Sequence, residues 1–341
     1  MALAHDELLK LGICKTVYSL PWPEARALVL AKQAQAEELM ALHDRPWEKR
    51  QDRMHDGFRD AWVEFAGKAG VRLSPEVMSN FYPTAGASEP IRETIALIGS
   101  KGRGLAVFEG EYEGFEAVAS ALGLRIAKIP REDWRARLPK LWAEGFELFT
   151  SNPSAIDGCH WADFGDCAKL ASLAGGKIHL DLTYVGACAN PLPIDASADS
   201  ISTVVFSLSK VFGVYYRRMG GAFARENNPL LWGNQWFKNL DSLALGEALL
   251  RGFDPGELAR KWGPLRSERI AMLEAEHGWS LAPSDVFMLA MGSGPGLDGE
   301  GLSRVEGGRA RVCLTPSLGE AMELACALVD SRRHKSSRPS A

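Results

Sequence analysis

The sequence predicts an α/β protein whose main sheet consists mostly of parallel strands. Short apolar runs alternate with stretches of helix-forming residues through the middle of the chain, which is the pattern of repeated βαβ units. Polar and ionisable residues directly follow several of these runs, and folds of this class bind their ligands at the carboxyl ends of the strands. The length of 341 residues allows a sizeable core and favours two unequal lobes.

The composition argues against several classes of protein. Hydrophobic residues make up 46% of the chain and charged residues 24%, as in ordinary globular proteins. The net charge of −4 gives no electrostatic reason to expect a nucleic acid or a membrane as a partner. The six cysteines show no CxxC spacing, so we interpret them as reduced thiols and expect no metal site. Because no signal-peptide pattern opens the chain, we expect a cytoplasmic protein.

The first part of the chain is predicted to be helical. Helix-forming residues dominate from 21 to about 43 and again from about 54 to 68, and the second stretch ends before Gly70. Neither stretch carries residues with obvious chemistry.

A turn after the first predicted strand can bind an anion. The strand ends near Thr84, and Gly86, Ala87 and Ser88 then lead into an apolar helix. Backbone N–H groups at a helix start attract anions together with the helix dipole. Ser88 can cap this helix and also donate to a phosphate oxygen. On the residues alone, a plain capping turn explains the segment equally well.

Further strand and helix units follow in alternation. Residues 104–109, 124–129 and 146–150 are predicted strands, with helices near 112–122 and 132–142 between them. Tyr112 opens the first of these helices, and Phe115 lies one turn further on. Helices are also predicted at 230–251 and 255–276, and a late strand at 309–314.

Two ionisable residues stand directly after predicted buried strands. Asp181 follows the run 177–180, and Lys210 follows the run 201–206 after Ser207 and Ser209. A buried carboxylate is costly without a positive partner, and burial favours the neutral, nucleophilic form of a lysine. Arg218 can bind two oxygens of a phosphate. The segment therefore predicts an amine nucleophile beside a phosphate.

The order and spacing of these segments resemble the aminotransferase class I/II family, the fold-type I pyridoxal-phosphate (PLP) enzymes. The resemblance covers residues 80–314 and matches the N-terminal 75 residues poorly. It implies a seven-stranded, mostly parallel sheet sandwiched by helices, and a small α+β domain. We expect residues 1–60 to join the small domain, 61–250 to form the large PLP-binding domain, and 251–341 to complete the small domain with a disordered basic tail from Ser331.

The resemblance also implies roles for individual residues. Lys210 would form the Schiff base with PLP, Asp181 would pair with the pyridine nitrogen, Tyr112 would stack on the ring and Tyr184 would donate to its phenolic oxygen. The implied phosphate contacts are Gly86, Ala87, Ser88, Ser207 and Arg218, with Arg217 as the competitor of Arg218.

The substrate carboxylate has two candidate partners. Arg311 occupies a position that resembles the arginine with which the family binds this group, and Arg309 is its competitor. Either could instead be a surface charge on an edge strand.

One position departs from the family pattern. The segment 152–158 resembles NPxNPTG, in which the second asparagine hydrogen-bonds the phenolic oxygen of PLP. Ala155 stands in that place here. Asn152 is the remaining amide nearby and could substitute for it, or the contact could be absent.

The resemblance implies a homodimeric aminotransferase that acts on a small amino acid. The substrate amine would displace Lys210 to give an external aldimine, and Lys210 would then remove the Cα proton. The alternative is a PLP-dependent lyase or cyclase that expels a β- or γ-leaving group, with cyclisation of an arginine-derived amino acid as one form. Ala155 and the unusual N-terminus keep this alternative open.

Overall fold

The computed structural model describes residues 5–33, 51–236, 239–297, 305–306 and 308–336. These residues form a seven-stranded sheet, a four-stranded sheet and a two-stranded pair. Among them, no helix combines the length and the apolar character that crossing a membrane requires.

The helices and strands are numbered in chain order. The helices are α1 (His5–Lys10), α2 (Pro23–Gln33), α3 (Gln51–Lys68), α4 (Ser88–Ser100), α5 (Glu113–Ala121), α6 (Trp134–Ala143), α7 (Phe164–Ala174), α8 (Leu240–Gly252), α9 (Glu257–His277) and α10 (Thr315–Ser336). The strands are β1 (Val71–Arg72), β2 (Asn80–Thr84), β3 (Gly104–Phe108), β4 (Ile126–Ile129), β5 (Phe146–Ser151), β6 (Ile178–Asp181), β7 (Ile194–Asp195), β8 (Ile201–Ser207), β9 (Gly220–Ala224), β10 (Ser280–Pro283), β11 (Leu289–Ser293), β12 (Val305–Glu306) and β13 (Arg309–Cys313).

The large sheet confirms the predicted seven strands. Its order is β2-β9-β8-β6-β5-β3-β4. Neighbouring strands pair in parallel from β4 to β8, and β9 pairs antiparallel with both β8 and β2. Only β9 therefore runs against the others. Because β3, β5, β6 and β8 are parallel, their carboxyl ends meet at one edge of the sheet.

The sheet is buried on both faces, which explains why its strands read as continuous apolar runs. In β8, Val205 belongs to one apolar cluster, whereas Val204 and Phe206 belong to another. Successive residues of a strand point to opposite faces, so these clusters lie on the two sides of the sheet. Trp62 of α3 stacks on Phe206 with ring centroids 4.1 Å apart, which fixes this helix against one face.

The N-terminal residues lie against the small sheet. That sheet has the order β10-β11-β13-β12 and is antiparallel. Cys313 N–H donates to Gly12 O over 2.9 Å, and Thr315 Oγ1 donates to Tyr18 O over 2.9 Å. The expected domain boundary at residue 60 falls inside α3, which packs against α8 and the large sheet, so this helix is part of the large lobe.

Two predicted segments differ from the structure or extend beyond its described part. The helix predicted over 21–43 is helical in α2, while residues 34–50 lie outside the described residues. The tail was expected to be disordered from Ser331, but α10 continues through it to Ser336. The end of this tail, residues 337–341, lies outside the described residues.

Candidate active site

A cavity of about 260 Å³ collects most of the predicted site residues at the carboxyl ends of the parallel strands. Nine of them line it: Ala87, Ser88, Tyr112, Asp181, Tyr184, Ser207, Lys210, Arg218 and Arg311. Two predicted site residues, Gly86 and Asn152, are not part of its lining.

Lys210 follows β8 and is largely shielded from solvent. Its Nζ donates to the backbone oxygen of Val17 and lies 5.5 Å from the ring centroid of Tyr215. Burial lowers the pKa of Lys210 to about 8, and the neighbouring positive charges of Arg311 and Arg218 act in the same direction. With that pKa, Lys210 is neutral in about a tenth of the molecules at pH 7, which is far more than for an ordinary lysine.

This lowered pKa predicts the pH dependence of chemical labelling at Lys210. Only the neutral amine attacks a carbonyl, so reductive methylation of Lys210 with formaldehyde should accelerate as the pH rises and level off above about 8. Peptide mass spectrometry at a series of pH values measures the rate. The free amine Nα-acetyl-lysine is the control, and its rate should keep rising to about pH 10. Identical profiles for Lys210 and this amine would contradict the lowered pKa.

Asp181 ends β6 and is 7% exposed. Its Oδ1 accepts hydrogen bonds from Thr183 N–H over 2.8 Å and from Thr183 Oγ1 over 2.5 Å. Burial raises the pKa of Asp181 to about 6; the Thr183 bonds oppose this, and the charge of Glu111 adds to it. A cationic group bound in the cavity would favour the ionised carboxylate, so Asp181 suits a protonated ring nitrogen.

The start of α4 corrects the expectation that Ser88 caps the helix. Ser88 is the first helical residue, and the capping position belongs to Ala87, which makes no side-chain capping bond. The carboxylate of Glu89 instead accepts from Ala85 N–H over 2.7 Å. Ser88 is exposed at the cavity, where its hydroxyl and the first N–H groups of α4 suit a phosphate.

Arg218 is the arginine that reaches this helix start. Its Nη2 donates to Ala85 O over 2.9 Å, and its guanidinium lies 5.3 Å from the ring centroid of Tyr215. Arg217 is exposed and does not line the cavity. On the other side, Ser207 Oγ donates to Ser209 Oγ over 3.0 Å, so hydroxyl groups and a guanidinium converge on the same space.

Gly86 lies close to the guanidinium of Arg218 and leaves room for it. Its φ of +77° favours glycine, and a Cβ at this position would lie 2.7 Å from Arg218 Nη2. The close approach explains how a residue outside the cavity lining still shapes the cavity.

Replacing Gly86 with alanine should therefore weaken phosphate binding. The positive φ alone costs about 1–2 kcal/mol of stability, and the displaced Arg218 should reduce PLP affinity roughly tenfold through a weakened charged hydrogen bond. Gly102→Ala is the control, since its φ is +69° and nothing lies within 4 Å of the added Cβ. Equilibrium dialysis with PLP measures both; equal affinities in the two variants would contradict this role for Gly86.

Arg311 is buried, with 1% of its surface exposed. Its Nη1 donates to Ala155 O and its Nη2 to Lys15 O. Its Nε is buried and has no hydrogen-bond partner among the described residues. Arg309 is exposed, donates to Met291 O over 2.8 Å and does not line the cavity. Of the two competing arginines, the structure therefore brings Arg311 to the cavity.

Asn152 is not placed to substitute for the amide missing at Ala155. Its Oδ1 accepts from Trp161 N–H over 3.0 Å and lies 3.1 Å from His160 Nδ1. Its Nδ2 is buried, and no residue that the structure describes accepts a hydrogen bond from it. Ala155 itself lines the cavity. The side chain of Asn152 thus organises the following loop.

The aromatic candidates separate clearly. Tyr112 is 39% exposed and lines the cavity, whereas Phe115 is fully buried in the core. Their rings meet edge to face at 5.5 Å. Tyr112 is therefore the side chain that can offer its face to a flat ligand.

Sequence reasoning missed one wall of the cavity. Lys15, Thr16 and Val17 line it, and Glu113 and Tyr215 lie among the other lining residues. Ser19 Oγ donates to Ser209 O over 2.8 Å, which ties the same N-terminal segment to the turn before Lys210. No motif marks these residues, so only the folded chain reveals them.

The residues present suit PLP. Hydroxyls, a helix start and Arg218 form a set of donors for a phosphate, while Asp181 is a buried carboxylate that gains from a positive ring nitrogen. Lys210 supplies a partly neutral amine, and Tyr112 supplies an aromatic face. The steric crowding behind Gly86 shows that the phosphate side tolerates no extra side-chain atom without moving Arg218.

Only the comparison with solved structures finds similar proteins. No family model and no curated protein matches the sequence. Among solved structures, a protein described as a probable N-succinyldiaminopimelate aminotransferase from Thermus thermophilus matches with a TM-score of 0.64 and 22% identity, over 90% of this chain and 91% of that one.

Two other solved structures extend the comparison. MppP soaked with its product 2-ketoarginine matches with a TM-score of 0.67 and 13% identity, over 90% of this chain and 96% of that one. The PLP-bound C-S lyase from Staphylococcus hominis matches with a TM-score of 0.61 and 13% identity, over 93% of this chain and 89% of that one. These likenesses show that the chain has the fold of fold-type I PLP enzymes, which confirms the predicted fold.

Proposed function

We propose that this chain is a PLP-dependent enzyme that acts on an amino acid, and that the reaction is transamination. The observation that carries the proposal is the meeting of Lys210, Asp181, Arg218 and Arg311 in one cavity. These four residues come from three separate segments, since Lys210 and Arg218 both lie between β8 and β9. They match a nucleophile, a ring-nitrogen partner, a phosphate ligand and a carboxylate ligand. The fold supports the same conclusion.

The proposed cofactor would be held by residues already described. Ser88, Ser207, Arg218 and the start of α4 would bind the phosphate, and Asp181 would bind the ring nitrogen. Tyr112 would cover the ring, while Tyr184, which lines the cavity, would reach the phenolic oxygen. When bound, PLP supplies an electron-accepting ring that stabilises negative charge at the substrate's Cα.

The chain's own residues then position the substrate and move its proton. Arg311 binds the α-carboxylate and so fixes the orientation of Cα. Lys210 removes the Cα proton, for which a pKa of about 8 is suitable near neutral pH. Lys210 would hold this proton and return it on the cofactor side instead of to Cα. Water would then release the substrate as a 2-oxo acid, and the amino group would stay on the cofactor until a second 2-oxo acid takes it up. Asp181 would keep the ring nitrogen protonated.

A lyase or cyclase is the second candidate. Ala155 favours it, because the cavity has a methyl group where the family pattern has an amide. The structural likeness to a C-S lyase and to MppP accommodates either chemistry. In this second candidate Lys210 still removes the Cα proton, but a β- or γ-group leaves, and ring closure of an arginine-derived amino acid is one form of the reaction.

We also propose that the chain functions as a homodimer in the cytoplasm. The six cysteines are free thiols, which suits a reducing compartment. Trp232, Trp236 and Tyr216 are 54%, 59% and 92% exposed, and large exposed aromatic residues are typical of protein interfaces.

Borohydride reduction and a substrate screen test the proposed function. Purified protein with PLP should be yellow, and reduction should fix the cofactor to Lys210; a colourless protein without an adduct in its peptide map contradicts the proposal. A panel of amino acids separates the two reactions. A transaminase converts the cofactor to its pyridoxamine form without releasing ammonia, whereas an eliminating enzyme releases ammonia or another leaving group.

A further inference from the structure

Glu111 is a buried carboxylate for which the proposed reaction has no use. It lies in the loop between β3 and α5 and is 6% exposed. Its Oε1 accepts from Ser151 N–H over 2.9 Å and from Thr150 Oγ1 over 3.0 Å. Its Oε2 accepts from Ser151 Oγ over 2.8 Å and from Tyr112 N–H over 3.2 Å. One carboxylate thus ties the loop after β3 to the end of β5.

The four donors favour an ionised carboxylate. Burial raises the pKa of Glu111, and the four hydrogen bonds act against that rise. Each oxygen accepts one backbone N–H and one hydroxyl, so both ends of the group are used as acceptors. Bonds of this kind stabilise the charged form of a carboxylate. A glutamine side chain in this place would direct its NH₂ group towards a backbone N–H in either of its two orientations, so two donors would face each other.

The bonds of Glu111 continue to the residues of the cavity. Tyr112 follows it directly, and Ser151 Oγ accepts in turn from Ala155 N–H over 2.6 Å. Ala155 O is the acceptor of Arg311 Nη1. A short series of hydrogen bonds therefore connects Glu111 with both the aromatic face and the carboxylate-binding arginine.

Glu111 also lies near Asp181. Ser151, which Glu111 binds, is the direct partner of Asp181 in the parallel pairing of β5 with β6, and the charge of Glu111 helps to raise the pKa of Asp181. A proton on the nitrogen of a bound ring is held more tightly by two neighbouring negative charges than by a single one. The other charged and titratable groups that line the cavity with Asp181 are Lys15, Tyr112, Glu113, Tyr184, Lys210, Tyr215, Arg218 and Arg311.

We propose that Glu111 is a positioning residue of this site: an ionised carboxylate that holds Tyr112 and the Ser151–Ala155 turn in place and sets a second negative charge beside Asp181. The part of the proposal that concerns the ring nitrogen rests on the proposed PLP function. The charge beside Asp181 does not.

The charge is tested on the protein without cofactor. In Glu111→Gln, the carboxyl titration of Asp181, followed by ¹³C NMR of labelled aspartate, should shift downwards by about one pH unit because a like charge is gone. Glu147→Gln is the matched control. Glu147 is 3% exposed and bound to His179 over 2.8 Å, but it precedes Ser151 by four residues, or about 13 Å along β5.

Asp181→Asn gives the same test if Glu111→Gln does not fold. Both Thr183 bonds go to Oδ1 of Asp181, so an asparagine can keep them. Because coupling between two titrating groups is mutual, the carboxyl titration of Glu111 should shift downwards in this variant. An unchanged Asp181 titration in folded Glu111→Gln, or an unchanged Glu111 titration in Asp181→Asn, overturns the proposal.

Cofactor binding provides the second readout. In Glu111→Gln the dissociation constant for PLP should rise roughly tenfold near pH 8, as expected for about one unit of lost proton affinity, and in Glu147→Gln it should stay unchanged. Failure of the PLP proposal would appear separately, as a wild-type protein without a borohydride adduct, and would leave the coupled titrations intact. Coupled titrations with unchanged PLP affinity would overturn the role of Glu111 at the cofactor.

Discussion

Replacing Lys210 with alanine is expected to lower turnover by a factor of about 10³ or more, whichever of the two proposed reactions occurs. In the proposed mechanism the substitution removes the amine that would bind the cofactor and the base that would take the Cα proton. A positioned general base alone contributes about 10²–10⁴. The loss is measured as the drop in kcat with the substrate that the amino acid screen identifies. Reduction with borohydride should at the same time give no labelled peptide from this segment.

Lys15→Ala is the control for this result. Its side chain also lines the cavity, but it is 46% exposed and pairs with Glu113 over 3.6 Å. An exposed ion pair of this kind contributes little, so the variant should fold and still form the adduct at Lys210. A Lys210→Ala protein that keeps its turnover and carries the adduct on Lys15 would move the nucleophile to the N-terminal segment.

The parts of the site that follow parallel strands could be predicted from the sequence. Asp181 and Lys210 stand after apolar runs, and the alternation of strands and helices brings such positions to one edge of the sheet. The family resemblance favoured Arg218 over its competitor Arg217, and of the two only Arg218 lines the cavity. In each case the chemistry and the local position are set by residues close together in the chain.

The rest depends on contacts between distant residues. Arg311 and Lys15 are 296 positions apart and meet through a side-chain to backbone bond, which no local pattern signals. Ser88 was expected to cap the helix, but it is already the first helical residue, and the capping position falls on Ala87, which makes no side-chain capping bond. Glu111 directly precedes a recognised aromatic residue, yet its importance lies in donors from β5 that only the sheet brings near.

Replacing Arg311 with alanine is expected to raise KM about a hundredfold with a smaller change in kcat. A charged hydrogen bond contributes about 1.5–3 kcal/mol, and a guanidinium that binds a carboxylate with two such bonds acts in both the bound substrate and the transition state. Steady-state kinetics with the identified substrate provide the measurement. Arg309→Ala should leave KM unchanged, because that side chain is exposed and bonds Met291 O away from the cavity.

Arg311 also supports the fold, and a second variant separates the two roles. Arg311→Ala leaves Ala155 O and Lys15 O without their partner and creates a cavity, which should cost about 2–5 kcal/mol of stability. Arg311→Lys keeps the charge and most of the volume but loses the planar pair of donors. If carboxylate binding is the role of Arg311, the lysine variant should recover thermal stability while KM stays well above the wild-type value. If the lysine variant recovers both thermal stability and the wild-type KM, Arg311 acts by holding residues 15–17 in place and not by binding the carboxylate. A raised KM in Arg309→Ala would move carboxylate binding to that residue.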